Sequence, residues 1–228
     1  MSEQKPKKPI MILSLDTETG GFNDRINALM TVGLAKLELS KADDLSNIKK
    51  KEWRISNQYI VVEKTPNMIA EPQPRYVEQE ALNCNKLNVY ELETKGQKIK
   101  DVEDELCAYL DKLTNKYRVH LLGQNLKFDL GFILRNMPSF YKKLNKLTTH
   151  HELRTLSTAY NMMLQLEGED SFVDRYCNST AMDTMRKRLD IVSDGQTHSA
   201  AVDAEDNIIA FIRILERLKN CELTLTPC

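Results

Sequence analysis

The sequence lacks the cysteine pattern of a disulfide-stabilised domain or a zinc ribbon. Its five cysteines are odd in number, and no two of them form a C-x-x-C pair. Small secreted domains and zinc ribbons need paired, closely spaced thiols. We therefore expect reduced thiols and a cytoplasmic protein.

No stretch of the sequence approaches the roughly 20 apolar residues that a membrane-spanning helix needs. The N-terminus starts with a basic segment, residues 1–8, and an apolar run, residues 9–15, in the order that a signal peptide has. That run is shorter than most signal-peptide cores, and Asp16 and Glu18 follow it in place of a small-residue cleavage site. We predict a disordered basic leader at residues 1–8 and no membrane partner.

An excess of one charge is also absent, because 32 basic and 33 acidic residues leave a net charge of −1. This balance excludes a histone-like tail and an acidic disordered segment, but it allows local basic patches. Hydrophobic residues make up 41% of the 228 residues, which is ordinary for a packed fold. We expect one domain at residues 9–220, followed by a short tail at residues 221–228.

Apolar patterning along the chain predicts an α/β fold. Strands are predicted at residues 10–15, 27–39, 52–62 and 117–122, and a short one within 150–156. Helices are predicted at residues 102–113, 128–137, 157–166, 179–189 and 199–218, and an extended proline-containing loop at 63–77. The first three strands should form an antiparallel meander, and the last two should be parallel. The result would be a mixed five-stranded sheet with helices on both faces.

Asp16 and Glu18 stand at the end of the first predicted strand. Residues two apart on a strand share a face, so both carboxylates point the same way. Such pairs also occur by chance on solvated surface, as at Glu78 and Glu80. The position after buried aliphatic residues makes unpaired charge costly, however, and Mg²⁺ is a hard cation that prefers oxygen ligands. The pair is therefore a candidate metal site.

Two further acids, Asp129 and Asp203, fall in the first turns of predicted helices. The helix dipole alone explains an acid there, and Asn125 could simply be a turn or cap residue. His198 precedes Asp203 by five residues, which on one helix would place the two side chains about 140° apart. They can share a site only if His198 lies in the loop before the helix.

Taken together, these segments resemble the three sequence blocks of the DEDDh exonucleases, the DnaQ-like branch of the ribonuclease H-like superfamily. The blocks here are LDTETGGFN, QNLKFDLGFI and HSAAVDAED, and the resemblance covers about residues 9–218. The amino-acid sequences of these blocks are similar to those of the ribonuclease T group. One departure is Arg154-Thr155, which stands where many relatives have Asp-Thr.

The resemblance implies a metal-dependent 3′–5′ exonuclease that releases nucleoside 5′-monophosphates. Asp16, Glu18, Asp129 and Asp203 would bind two Mg²⁺ or Mn²⁺ ions, and His198 would act as the general base. The residues implied for holding the terminal nucleotide are Thr19, Gly20, Gly21, Phe22, Asn125 and Phe128.

The partners that the resemblance implies are single-stranded DNA or RNA 3′ ends and a second copy of the chain. Basic clusters such as residues 49–51 and 186–188 could contact phosphates, although for any single cluster we favour a solvated surface that balances nearby acids. Alternatives are an epsilon-like proofreading subunit of a DNA polymerase, an RNA-trimming enzyme of the ribonuclease T type, and a non-catalytic binder of nucleic-acid ends. The short segment after the last predicted helix argues against the proofreading subunit, and the complete set of acids argues against the binder.

Overall fold

The computed structural model describes residues 8–66, 74–166, 182–192 and 199–220. Its strands are β1 (Ile10–Thr19), β2 (Leu29–Glu38), β3 (Lys49–Ser56), β4 (Ile60–Val62), β5 (Tyr76–Glu78), β6 (Gln97–Lys98), β7 (Arg118–Gly123) and β8 (His150–Glu152). Its helices are α1 (Gln79–Asn85), α2 (Val89–Lys95), α3 (Ile99–Lys116), α4 (Leu126–Asn136), α5 (Pro138–Leu144), α6 (Leu153–Leu166), α7 (Met182–Arg188) and α8 (Ala200–Asn220).

Among the described residues, the main sheet has six strands in the order β6-β3-β2-β1-β7-β8. β1, β2 and β3 form the predicted antiparallel meander, while β7 and β8 run parallel to β1. The mixed α/β class is confirmed, but the predicted count of five strands was one too low. The sixth strand, β6, is only two residues long and pairs with the end of β3, so it has no alternation from which to predict it.

The predicted strand at residues 52–62 is in fact two strands in different sheets. Gln58 has a φ of 44°, in the left-handed region, and this conformation interrupts the extended chain between β3 and β4. β4 then pairs with β5 in a small second sheet. β5 begins at the end of the predicted loop at residues 63–77, of which residues 67–73 lie outside the described part.

β1 is ten residues long and continues beyond Leu15, where the sequence predicted its end. Asp16 lies opposite Gly33 of β2, and Glu18 lies opposite Thr31. The two acids therefore belong to the strand itself and keep its alternation of faces. That alternation decides what each side chain of β1 can reach.

The two faces of the sheet carry separate hydrophobic layers. Leu13 and Leu15 of β1 pack with α3, α4 and α5, whereas Ile12 packs with α6, α7 and α8. Asp16 and Glu18 share the face of Ile12, so they point toward α8. Thr17 points to the opposite face, where α4 lies.

α8 crosses the sheet closely at Gly33. A Cβ built on Gly33 would lie 2.0 Å from the carbonyl carbon of Ala200, the first residue of α8. The missing side chain thus allows the N-terminal end of α8 to touch β2 next to Asp16. Gly33 sets where the first turn of the last helix lies.

The long predicted helices are present within the described residues, with bounds that differ by a few positions. The seven-residue helices α1, α2 and α5 were not predicted, because short helices of mixed polarity show too little periodicity. Three predicted segments fall partly or wholly outside the described part: residues 1–7 of the leader predicted at 1–8, residues 179–181 of a predicted helix, and the predicted tail at 221–228. No helix in the described ranges is both long enough and apolar enough to cross a membrane.

Candidate active site

Three carboxylates meet at the end of β1. Asp16 and Glu18 project from the strand, and Asp203 projects from the first turn of α8, whose position Gly33 permits. One oxygen atom from each of the three lies within 4.8 Å of the other two. Carboxylate oxygens at this spacing can contact a common cation. The structure thus brings together three of the four acids predicted to bind metal.

The fourth predicted acid, Asp129, approaches from the other face of the sheet. It lies in the first turn of α4, only 3% exposed, and the Thr17 hydroxyl donates a hydrogen bond of 2.7 Å to its Oδ1. Asp129 is outside the group of three that lie within 4.8 Å. Its charge nevertheless raises the pKa of Asp16 and of Glu18, so it belongs to the same electrostatic site.

Burial and neighbouring charges disfavour ionisation of the acids in this site. Burial is the main cause that raises the pKa of Asp16 well above its usual value, with further increases from Asp129 and Asp203. Burial, followed by the charge of Asp203, raises the pKa of Glu18 to about 9. Burial also raises the pKa of Asp129 to about 7, although the Thr17 hydrogen bond opposes this. A buried set of carboxylates that resists ionisation fits hard divalent cations, which would supply the missing positive charge.

Arg186 of α7 is a charged partner of the site, whereas the sequence offered it only as part of the basic cluster at residues 186–188. Its Nη2 donates to Asp203, its Nε donates to Asp206 at 2.7 Å, and its Nη1 donates to Asp183 at 2.8 Å. The Arg186 charge lowers the pKa of Asp16. Only 10% of its side chain is exposed, so the interpretation of Arg186 as part of a solvated basic cluster is wrong.

Glu52 of β3 is a second residue that sequence reasoning missed. Asp16, Gly33 and Glu52 form one row across β1, β2 and β3. The Glu52 carboxylate accepts a hydrogen bond of 2.8 Å from the Ser199 hydroxyl, and its charge raises the pKa of Glu18. The sequence around Glu52 is a lysine-rich strand and does not indicate that this glutamate belongs to the site. Glu52 reaches the site only through the register of the strands, which local sequence does not show.

His198 lies outside the described residues, so its position relative to the acids stays a prediction. Its neighbour Ser199 is described. The Ser199 carbonyl accepts the first backbone hydrogen bond of α8, from the Asp203 N–H at 2.9 Å, and the Ser199 hydroxyl is bound to Glu52. The chain next to His198 is therefore tied to both α8 and β3.

A cavity of about 280 Å³ opens beside Glu18. Four of the residues predicted to hold substrate, Thr19, Gly21, Phe22 and Phe128, line one side of it. The Phe22 and Phe128 rings are 6.3 Å apart, and Phe22 is 88% exposed. The opposite side is α1, which contributes an acid and an exposed cysteine that the sequence did not place there, Glu80 and Cys84.

The other two predicted substrate residues lie elsewhere. Gly20 packs against the backbone of β5, where a Cβ would be 2.4 Å from the Tyr76 carbonyl oxygen. Asn125 has a φ of 58° and lines a shallower depression on the far side of Phe128. Both residues shape the surroundings of the cavity without lining it.

Asn27 holds the loop that presents Phe22. It is 1% exposed, and its Nδ2 donates to the Gly20 carbonyl at 3.3 Å and to Thr65 at 2.9 Å. Gly21, with a φ of 153°, lies so close that a Cβ would be 2.6 Å from the Asn27 side chain. A buried amide thus fixes the turn between β1 and β2.

Glu152 of β8 holds the beginning of α4. Its carboxylate accepts hydrogen bonds from the Asn125 N–H at 2.7 Å and the Leu126 N–H at 2.8 Å. These are free donors at a helix N-terminus, which a carboxylate satisfies well. The acid near this part of the site is therefore Glu152, two residues before the Arg154-Thr155 pair that departs from the family pattern.

No protein-family model matches the sequence, and no curated protein matches it. Solved structures do match. Exonuclease I from Methylocaldum szegediense superposes with a TM-score of 0.67 and 14% identity, over 92% of this chain and 41% of that chain. The chain has the fold of these nucleases. An E. coli exonuclease I in complex with a dT13 oligonucleotide matches with a TM-score of 0.60 and 16% identity, over 92% of this chain and 41% of that one.

A shorter nuclease has the same fold. Cell-death related nuclease 4 matches with a TM-score of 0.61 and 13% identity, over 91% of this chain and 64% of that chain. The present chain thus spans about two fifths of the exonuclease I chains and under two thirds of this one. The predicted ribonuclease H-like fold is confirmed, while the closer similarity to the ribonuclease T group stays a prediction.

Proposed function

We propose that this chain is a metal-dependent 3′–5′ exonuclease that releases nucleoside 5′-monophosphates. The observation that carries the proposal is the meeting of Asp16, Glu18 and Asp203 within 4.8 Å, with Asp129 close enough to raise the pKa of Asp16 and Glu18. This meeting occurs in a fold that the chain shares with exonuclease I. The 3′–5′ direction follows from the resemblance to the DEDDh exonucleases.

The four acids are the proposed metal ligands. They are oxygen donors in a largely buried site where the pKa of Glu18 rises to about 9, so positive charge is needed to ionise them together. When bound there, two Mg²⁺ or Mn²⁺ ions would stabilise the charge that develops on the phosphate and lower the pKa of the attacking water.

His198 is the proposed general base. An imidazole with a pKa near 6.5 can take a proton from water at neutral pH. Its neighbour Ser199 is anchored to Glu52 of β3 by a hydrogen bond of 2.8 Å. Arg186 neutralises part of the charge of Asp203 and keeps that carboxylate beside the strand.

The terminal nucleotide is proposed to occupy the cavity beside Glu18. Phe22 and Phe128 offer aromatic faces for a base, and base–aromatic stacking does not depend on sequence. Thr19 and Gly21 would approach the sugar and phosphate, while Gly20 would support them from behind through its packing against β5. Asn125 would contact the preceding nucleotide from the adjacent depression. We propose single-stranded 3′ ends as substrate, since an exonuclease I of this fold is seen with a dT13 oligonucleotide.

The decisive test is degradation of 5′-labelled DNA and RNA oligomers of matched sequence, single- and double-stranded, with Mg²⁺ and with EDTA. We expect a ladder of shortened labelled products, release of mononucleotides, and no turnover in EDTA. Internal cleavage, release of the label as the first product, or undiminished turnover in EDTA would contradict the proposal. The DNA and RNA arms decide between the exonuclease I-like and ribonuclease T-like substrates.

We also propose that residues 9–220 form the nuclease domain of a cytoplasmic enzyme that acts as a homodimer. The homodimer rests on the resemblance to ribonuclease T, and the compartment rests on the unpaired cysteines. Light scattering after size exclusion should give about twice the chain mass of 26.3 kDa. A monomer at all working concentrations would contradict the homodimer.

A further inference from the structure

Arg186 bridges the acidic site to a buried ion pair. It lies near the end of α7, and its guanidinium contacts three carboxylates at once: Asp203 and Asp206 of α8, and Asp183 of its own helix. A planar guanidinium with five donors can hold several carboxylates in fixed directions, which an ammonium group cannot. The arginine therefore has a defined orientation rather than a mobile side chain.

Asp206 anchors this orientation from inside the protein. It is 1% exposed, one helical turn beyond Asp203, and accepts the Arg186 Nε at 2.7 Å. Asp183 is 66% exposed at its side chain and accepts Nη1 from the surface side. With its other nitrogens held in this way, Arg186 directs Nη2 at Asp203.

The position of Arg186 excludes a direct role in holding substrate. Only 10% of the side chain is exposed, and it lies on the α7 side of Asp203, whereas the cavity lies between Glu18 and α1. Its charge acts instead on the carboxylates, since it is attracted to Asp203 directly and lowers the pKa of Asp16. This attraction offsets the repulsion among three carboxylates held within 4.8 Å.

We propose that Arg186 is an internal counter-cation that positions Asp203 and reduces the affinity of the acidic site for divalent cations. The inference rests on the proposed function, because it takes the acids to be metal ligands. Without a cation, the guanidinium holds Asp203 beside Asp16 and Glu18. A divalent cation must share the Asp203 carboxylate with it and is repelled by its charge. A contact that stabilises the cation-free form more than the bound form weakens binding, as thermodynamic linkage requires.

The test needs a variant that removes Arg186 without leaving Asp206 as an unpaired buried charge, which would destabilise the fold. Arg186→Met combined with Asp206→Leu replaces the buried ion pair by apolar side chains, a change that folded proteins often tolerate. Arg186→Lys is a second variant, which keeps one charge but cannot reach three carboxylates. Asp183→Asn is the matched control, since it removes the exposed contact and leaves the other two.

The measurement is Mn²⁺ binding to the full chain by titration calorimetry at one pH, together with the melting temperature in EDTA and in Mn²⁺. We expect the double variant to bind Mn²⁺ roughly fivefold or more tightly than wild type and to gain more melting temperature from Mn²⁺. Arg186→Lys should change in the same direction by less, and Asp183→Asn should match wild type. A purely structural role would lower both melting temperatures equally and leave the affinity unchanged.

The outcomes separate this inference from the proposed function. If wild type binds Mn²⁺ and degrades oligonucleotides, but the double variant and Arg186→Lys bind Mn²⁺ no more tightly, the counter-cation role is wrong and the nuclease proposal stands. If wild type neither binds Mn²⁺ nor degrades any oligonucleotide, the nuclease proposal itself is wrong. Should the double variant fail to fold, a tighter Mn²⁺ affinity of Arg186→Lys supports the role, and an unchanged affinity overturns it.

Discussion

At the scale of single residues, the site is governed by where β1 directs its side chains. Asp16, Thr17 and Glu18 alternate between faces, so two carboxylates meet α8 while the intervening hydroxyl meets Asp129. These three consecutive residues thereby contact or face acids on both sides of the sheet, Asp203 on one side and Asp129 on the other. Substitutions here should affect chemistry far more than folding.

Asp16→Asn is expected to lower the rate of mononucleotide release by more than about 100-fold, because loss of an outer partner of a metal ligand already costs about 10–100-fold and Asp16 is proposed as a ligand itself. The melting temperature in EDTA should stay the same or rise, because one mutually repelling, buried carboxyl is removed. Rates in Mg²⁺ and melting curves in EDTA measure the two effects. Asp43→Asn, an exposed acid away from the site, is the control, and an Asp16→Asn enzyme with wild-type rate would refute the ligand assignment.

His198→Ala is expected to reduce turnover at neutral pH while most of the Mn²⁺ affinity remains, because a general base moves the proton without holding the cations. Rates from pH 5 to 9 and calorimetric Mn²⁺ titrations check this. The wild-type rate should decrease as the pH is lowered past about 6.5, the ordinary pKa of an imidazole. The variant should lose this pH dependence. Retention of the wild-type rate at neutral pH would show that another group is the base.

At the scale of elements, the approach of α8 to β2 places Asp203, and Gly33 is what permits it. Gly33→Ala would put a Cβ 2.0 Å from backbone atoms of Ala200, so α8 or β2 must move. We expect a loss of about 1–3 kcal/mol in the free energy of unfolding, typical of overpacking, and a lower nuclease rate. Denaturant unfolding and rate measurements test both.

Gly131→Ala is the matched control for Gly33→Ala. Gly131 lies inside α4, and the atoms nearest to a Cβ there belong to the Asp24 side chain, the first of them at 3.0 Å. In a helix interior, alanine is more favourable than glycine by about 1 kcal/mol. The Gly131→Ala variant should therefore be as stable as wild type or more stable. If both alanine variants behaved alike, close packing at Gly33 would not be what places α8.

The pairing of β7 with β8 brings His120 Nδ1 within 3.1 Å of His151 Nε2. Burial lowers the pKa of both histidines, and the charge of His151 lowers that of His120 further. A histidine whose folded pKa is depressed contributes stability above its ordinary value of about 6.5 and loses it as the pH falls through the folded value. The protein should therefore become less stable between pH 7 and pH 5.

Melting temperatures of His151→Gln across this pH range test the assignment. The variant should lose less stability on acidification than wild type, because it lacks one of the two groups that resist protonation. His150→Gln is the control, since His150 lies on the exposed side of the same strand and should retain most of the wild-type slope. Equal slopes in His151→Gln and wild type would remove the pair as the cause.

At the scale of the whole molecule, both helical layers pack on one sheet. The layer of α3, α4 and α5 and the layer of α6, α7 and α8 contact opposite faces of β1. Loss of either layer would expose the central strands to water, so we expect the domain to unfold as one cooperative unit.

Trp53 makes this expectation measurable. It is the single tryptophan, 2% exposed, and it lies in the layer of α3, where its Nε1 donates to Glu105 at 2.8 Å. Its fluorescence reports that layer, whereas far-ultraviolet circular dichroism reports all the helices. The two probes should give the same urea midpoint. Separate midpoints would show that the two layers unfold independently.

Local pattern determined the class of fold and the pairing of Asp16 with Glu18, and the resemblance to the DEDDh exonucleases added Asp129 and Asp203 to the candidate acids. Alternation in β1 showed that Asp16 and Glu18 share a face, and helical periodicity showed that Asp203 begins the last long helix. Both properties depend on neighbours a few residues away, so the sequence carries them directly. The presence of the long helices followed for the same reason, although their bounds differ by a few positions, and the two-residue β6 was not predicted.

Only the tertiary structure decided what surrounds those acids. Arg186 contacts Asp203 across 17 residues, Glu52 contacts Ser199 across 147, and Gly33 matters because α8 crosses it. None of these positions has a local signal, since strand register and helix packing are set by the burial of the whole core. A sequence motif can name the acids of such a site, but the charges that set their ionisation come from distant parts of the chain.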